Sequence, residues 1–185
     1  MAFRRNGPLR AFRIADMRHV IFDGSGAMLH GARWNSPGRR VIYAAETYAG
    51  ALLEVLVHAS GDVPSSQGYV TIEIPAGVSI EEVTPEQVRW WNSPSYETAR
   101  AIGDRWYDER RTPVLIVPSL VTLVGHNILL NEAVACGQSL MFNAGARRCQ
   151  HFRQPSSDFR RRDRIDSAGK NENRFSRKPN LGRLA

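Results

Sequence analysis

Glu54 is the residue most at odds with its neighbours. It stands in Leu52-Leu53-Glu54-Val55-Leu56-Val57, aliphatic on both sides. At about 100° per residue, a helix over 47–58 puts Thr47, Gly50, Ala51, Glu54 and His58 on one narrow face, small or polar, and leaves the rest apolar. Two readings stand. Glu54 is an ordinary water-facing acid of an amphipathic helix, or it is a fixed carboxylate beside a hollow, where it could stabilise developing positive charge. The company upstream favours the second: Arg33, Trp34 and Asn35 in a Gly/Pro loop, then Tyr43 on a strand. Arg33 is either an anion contact or a loop arginine stacked on Trp34 or paired with an acid, whereas Trp34 reads as packing and Asn35 as closing a turn before Pro37.

The elements that must carry these groups are legible around them. Residues 31–40 read as a loop, with Asn35, Ser36, Pro37 and Gly38 as turn formers, and 41–45 as a short buried strand. Residues 11–15 read as a strand with Arg13 facing away from Phe12 and Ile14, and 22–26 as a turn without phosphate-loop spacing. A polar loop at 60–67 leads to a strand over 69–74 with Val70, Ile72 and Ile74 on one side. Thr84-Pro85-Glu86 predicts the start of a short helix, with Trp90 and Trp91 near its end as core or subunit contacts. Ser95 predicts the N-cap of a helix over 96–110. Its apolar face would be Ala99, Ile102, Trp106 and Tyr107, and its solvated face Arg100, Asp104, Asp108 and Arg111. Residues 114–117 form a buried strand ahead of Pro118-Ser119, with further strands expected at 121–124 and 127–130. Ser119 alone reads as a turn serine, and His126 as structural.

The ordered set GARWNSPG at 31–38, a strand bearing Tyr43, then LLEVLVH at 52–58 resembles the RES family, named for its Arg, Glu and Ser residues. The resemblance covers roughly residues 11–131 and is expected to fail after that. It implies an α/β (α+β) fold, a compact mixed sheet with flanking helices like that of ADP-ribosyltransferases. It also implies a toxin that degrades NAD at the nicotinamide–ribose bond, by phosphorolysis or hydrolysis, and that is neutralised by a helix-turn-helix (Xre-type) antitoxin. NAD would be substrate rather than cofactor, and inorganic phosphate a co-substrate. By the same resemblance Glu54 is the catalytic carboxylate and Arg13 clamps the NAD phosphates, as a planar guanidinium can. Arg33 would add a second phosphate contact. Tyr43 would line the nicotinamide end, although a buried strand tyrosine with a satisfied hydroxyl is the plainer reading. Ser119 would orient nicotinamide or Glu54, and Asn131, after Ile128-Leu129-Leu130, would join the binding set.

Composition bounds the rest. The chain has 185 residues and is 42% apolar, enough for one domain with a core. The divisions expected are a disordered leader at 1–10, a RES-like catalytic domain at 11–143 with an atypical last part, and a basic disordered tail at 144–185. The shift in composition near residue 132 is compatible with a reading-frame change in the gene. No run of 18 apolar residues predicts a membrane span, and no secretory signal opens the chain, so a cytoplasmic location is expected. Cys136 and Cys149 lack metal-ligand spacing, and no metal is expected. Residues 146–185 hold 12 Lys/Arg and 4 Asp/Glu, against 13 and 14 in residues 1–145, so the net charge of +7 belongs to the tail. Two alternatives follow: an ADP-ribosyltransferase acting on a protein, and a non-enzymatic protein whose basic tail binds nucleic acid.

Overall fold

In a computed structural model, which describes residues 2–59, 66–135 and 145–148, eight strands form one mixed sheet. The strands are β1 (Phe3–Arg4), β2 (Leu9–Asp16), β3 (Val41–Ala45), β4 (Gln67–Ile74), β5 (Ser79–Glu82), β6 (Val114–Pro118), β7 (His126–Asn131) and β8 (Gly145–Arg148). The helices are α1 (Ser25–His30), α2 (Tyr48–His58), α3 (Glu97–Asp108) and α4 (Glu132–Ala135). Strand order is β1-β5-β6-β7-β3-β2-β4-β8, and among the described residues β5–β6 is the one parallel pair. This is the mixed sheet with flanking helices that the resemblance implies.

Alternation sorts the side chains. Val70, Ile72 and Ile74 of β4 are buried to 1% exposure or less, and they join Leu9, Ala11, Ile42, Ala44, Ile128 and Leu130 in one core. The opposite face carries Val41, Leu115, Val117 and Leu129 under Ala99 and Trp106 of α3 and under Trp34. Ala45, on the same side of β3 as Val41, packs with Ala51 of α2 and Ile14 of β2. Helices α2 and α3 therefore cover one face of the sheet, with the loop at 31–40 beside them.

The central pairing is uneven. β2 pairs with β4 along all eight of its residues, and β3 with β7 along all five. Between β2 and β3 only Phe12 and Ala45 pair. The two strands diverge from there, and the gap becomes part of the site.

Several expectations are corrected. The leader predicted at 1–10 contains β1, which pairs with β5, and the first two residues of β2. Gly145–Arg148, placed in a disordered tail, pairs with β4 as the sheet's last strand. Residues 22–26 are not only a turn, because α1 starts at Ser25. No helix follows Thr84. Its N–H donates to Gln87 Oε1 and its carbonyl accepts the Gln87 N–H, closing one turn, and the chain reverses at Trp90 (φ 64°). Ser95 does not cap α3. Its N–H and hydroxyl engage Ser93 Oγ, and the capping position is Tyr96 in the left-handed region (φ 61°), without a side-chain cap. Residues 121–124 form a loop rather than a strand, because Gly125 and Ser119 close it on each other through Ser119 N–H to Gly125 O, with Leu123 at φ 62°. The loop at 60–65, Cys136, Cys149 and the tail from 149 onward lie outside the described residues.

Candidate active site

A cavity of about 820 Å³ opens on the face that carries α2 and α3. Its lining takes residues from β2, β3, α2, the loop after α1, the start of α3 and the turn after β6. Arg13, Arg33, Tyr43 and Glu54 all lie on it, so four of the residues singled out in the sequence share one hollow.

Glu54 is positioned by α2, and α2 by its cap. Thr47 is extended (φ −127°, ψ 154°), and its hydroxyl accepts the Gly50 N–H at 3.0 Å, which fixes where the helix starts. The Glu54 side chain is 24% exposed, less than a free surface acid. Its Oε1 accepts two hydrogen bonds, from Ser119 Oγ at 3.0 Å and from Asn127 Nδ2 at 2.9 Å. Ser119 is buried, and its Oγ accepts the Thr122 N–H, so its own proton is directed at Glu54. The other oxygen, Oε2, has His58 Nε2 at 3.8 Å, beyond hydrogen-bond reach. One carboxylate oxygen is thus held and the other is left to the cavity. Ser119 orienting Glu54 is one of the two roles the resemblance implied. Nothing in the local sequence marks Asn127 as a partner of Glu54. Alternation places it on the same side of β7 as Leu129, whose partner across the ladder is Tyr43, a register no single sequence displays.

Arg33 and Arg100 stand side by side on the lining. Both guanidinium carbons lie over the Tyr96 ring, at 4.4 and 5.3 Å from its centroid. Arg33 Nη1 donates to the carbonyls of Ser93 at 3.2 Å and Trp91 at 3.4 Å, and Arg100 Nε donates to Ala32 O at 2.9 Å. The sequence puts Arg100 on a solvated helix face; the structure instead sets it on the cavity lining. Asp104, four residues on, lies off the cavity lining and accepts the Ser36 N–H at 2.8 Å.

Tyr43 shows its ring to the cavity and its hydroxyl to the protein. The hydroxyl donates to Asn35 Oδ1 at 2.8 Å and accepts the Trp34 N–H at 3.2 Å. Burial pushes the phenol well above its ordinary pKa of 10.0. Asn35, fully buried, uses its amide nitrogen on the carbonyls of Ala27 and Ser36. Trp34 is buried at 2% exposure and stacks on Trp91, which agrees with the packing role expected of it.

Arg13 lines the cavity but is committed to backbone. Nε donates to Ile21 O at 2.6 Å, Nη1 to Tyr43 O at 2.8 Å and Nη2 to Asp23 O at 3.2 Å. Burial lowers its pKa, against the pull of Asp23 and Glu132. It spans the gap where β2 and β3 part, so three of its five N–H groups are unavailable to an anion.

Asn131 lies outside the cavity lining. It is fully buried, with Nδ2 on Tyr107 O at 3.2 Å and Oδ1 on the Ala133 N–H at 3.1 Å. It sits four residues along β7 from Asn127, about 13 Å by strand rise. It ties the end of β7 to α3 and α4 and does not join the binding set. His126 pairs with Glu46 at 2.7 Å, in keeping with a structural role. Among the described residues, no group of three or more His, Cys, Asp or Glu is placed to hold a metal.

The family model described as the RES domain matches residues 10–150. The match runs past residue 131, where the resemblance was expected to fail, and through β8. The chain is 38% identical over 115 residues to a protein named Prs ADP-ribosylating toxin from Sphingobium sp. (strain YBL2), covering 60% of this chain and 71% of that one. It is 36% identical over 124 residues to a Toxin Res from Pseudomonas putida, covering 65% of this chain and 84% of that one. Among solved structures, the crystal structure of the M. tuberculosis MbcT-MbcA toxin-antitoxin complex matches with a TM-score of 0.62 at 16% identity, over 78% of this chain and 84% of that one. At that identity the likeness is one of fold.

Proposed function

The chain belongs to the RES domain family, and from that premise we propose that it is a toxin that consumes NAD by breaking the nicotinamide–ribose bond. The observation that carries the reading is Glu54: one oxygen is pinned by Ser119 and Asn127, and the other is turned to a cavity that also holds Arg33. At about 820 Å³ the cavity is in the size range of ligand sites, which is roughly 300–1,000 Å³.

The chemistry follows from the charges. The ring nitrogen of NAD is cationic. When the bond from C1′ of the ribose breaks, its electron pair leaves with nicotinamide, which departs neutral and needs no general acid. C1′ becomes oxocarbenium-like, and a carboxylate already held in place can stabilise that charge without reorganising. Arg33 would hold the phosphates and so orient the ribose, while the Tyr43 ring offers a flat surface to nicotinamide. Attack by water on C1′ releases a proton and gives ADP-ribose; attack by inorganic phosphate gives its phosphate ester. Ser119 and Asn127 act through Glu54 as positioning residues.

The test is nicotinamide release from NAD, with and without phosphate, by the purified chain and its Glu54→Gln variant. The expected result is a fall of about 100-fold or more in the variant with an unchanged melting temperature. No release by the unaltered chain would sink the reading. A second reading, transfer of ADP-ribose to a protein, is favoured by the name of the Sphingobium relative. It predicts label from NAD on protein in place of free ADP-ribose. An antitoxin partner accompanies either reading, since the solved complex of like fold is a toxin with its antitoxin; we propose the Xre-type helix-turn-helix class for it. Among the described residues, no helix is long and apolar enough to cross a membrane. A cytoplasmic site of action, where NAD is held, is part of the proposal. Binding of nucleic acid by the tail rests on residues outside those described.

A further inference from the structure

Two cations line the cavity without an acid to answer them. Neither Arg33 nor Arg100 has an ion-pair partner among the described residues, and their hydrogen bonds go to backbone carbonyls. Asp104, one helical turn from Arg100, is turned away to the Ser36 N–H and to Arg39. The commitments are also one-sided. Arg33 spends Nη1, which leaves the edge formed by Nε and Nη2. Arg100 spends Nε, which leaves the edge formed by Nη1 and Nη2. Each guanidinium thus keeps one complete two-donor edge, the fork that matches two oxygens of a phosphate. Tyr96 holds both in place, because both guanidinium groups pack on its ring. The left-handed backbone at Tyr96 is what delivers that ring to the start of α3, where Arg100 stands.

We propose that Arg33 and Arg100 together seat a diphosphate, one fork to each phosphate, and that Arg100 makes the cavity prefer a dinucleotide over nicotinamide mononucleotide. The preference rests on the NAD reading above; the seat itself rests on the placement of the two side chains. Two arginine charges match the two negative charges of a dinucleotide's diphosphate bridge. A monophosphate occupies one fork and leaves the other unused.

The experiment has two arms. In the first, ADP and AMP are titrated calorimetrically into the unaltered chain, Arg100→Gln and Arg100→Lys. Loss of one fork is expected to weaken ADP about tenfold or more and AMP less than about threefold. Arg100→Lys is expected to fall between, because it keeps the charge and loses the fork. Arg100 also holds the Ala32 carbonyl, so melting temperatures accompany each variant. Unchanged ADP affinity in a folded Arg100→Gln, or equal losses for ADP and AMP, overturns the seat. In the second arm kcat/KM is compared for NAD and nicotinamide mononucleotide. Arg100→Gln should lower the first about tenfold or more and leave the second within about threefold; equal falls overturn the preference. The arms also separate the two claims. A chain that distinguishes ADP from AMP through Arg100 but never releases nicotinamide keeps the seat and loses the NAD reading. A chain that cleaves NAD while its ADP affinity ignores Arg100 does the reverse.

Discussion

A guanidinium can hold phosphate oxygens or backbone carbonyls, and at Arg13 the backbone has the stronger claim. Its three bonds go to Tyr43 on β3 and to Ile21 and Asp23 in the connection after β2. Removing the side chain strips the donor from three carbonyls at once. At about 1–3 kcal/mol for each buried group left unpaired, Arg13→Ala should lose about 3 kcal/mol or more of stability. Arg13→Lys should recover little, since one ammonium cannot reach all three. Urea midpoints read this directly. A variant with an unchanged midpoint and a raised KM for NAD would instead support the phosphate clamp implied by resemblance. Residue type pointed to Glu54, because an acid among aliphatics is conspicuous, whereas Ser119 by itself reads as a turn serine and only the resemblance set it beside Glu54. Asn127 and Arg100 were illegible for a physical reason. A polar residue opening a strand and an arginine on a charged helix look the same whether they face water or a cavity. Only the ladder register and the rotation of α3 decide which.

At the scale of elements, α3 and the arginine loop are tied by side-chain bonds from Arg100 and Asp104 and meet backbone against helix at Gly103. A Cβ at Gly103 would lie 1.7 Å from the carbonyl oxygen of Trp34, so the helix and the loop at 31–40 touch backbone to side-chain-free helix. Alanine favours a helix over glycine by about 1 kcal/mol. Here the overlap outweighs that gain, because neither partner is a flexible side chain. Gly103→Ala should cost about 3 kcal/mol, seen in a urea midpoint. It should also lower nicotinamide release in the fraction that stays folded, by displacing Arg33 next to Trp34. Local sequence was sufficient for β3, whose bounds match the reading, and nearly so for α2, where Thr47 caps rather than begins the helix. It misjudged the ends of α3 because Ser95 resembles a cap, yet its polar groups were already engaged by Ser93. It missed β1 and β8 because two- and four-residue strands carry too little periodicity to stand out, and their partners lie far away in the chain.

For the whole molecule, the sheet order joins segments that the text separates widely, and no periodicity shows it. β3 is flanked by β7 and β2, so the acid on the following helix, the asparagine on β7 and the gap beside β2 meet over one strand. That meagre bond between β2 and β3 has a mechanical consequence. In strand pairing the sheet is two ribbons, β1-β5-β6-β7-β3 and β2-β4-β8, linked along a seam by one residue pair and one arginine, with the apolar core and α2 packed across it. Such a seam can breathe without tearing either ribbon, and it runs through the cavity wall. Amide protons on the seam side of β3 should therefore exchange with deuterium about tenfold or more faster than those between β3 and β7. Their exchange should slow when a nucleotide fills the hollow and leans on both ribbons together.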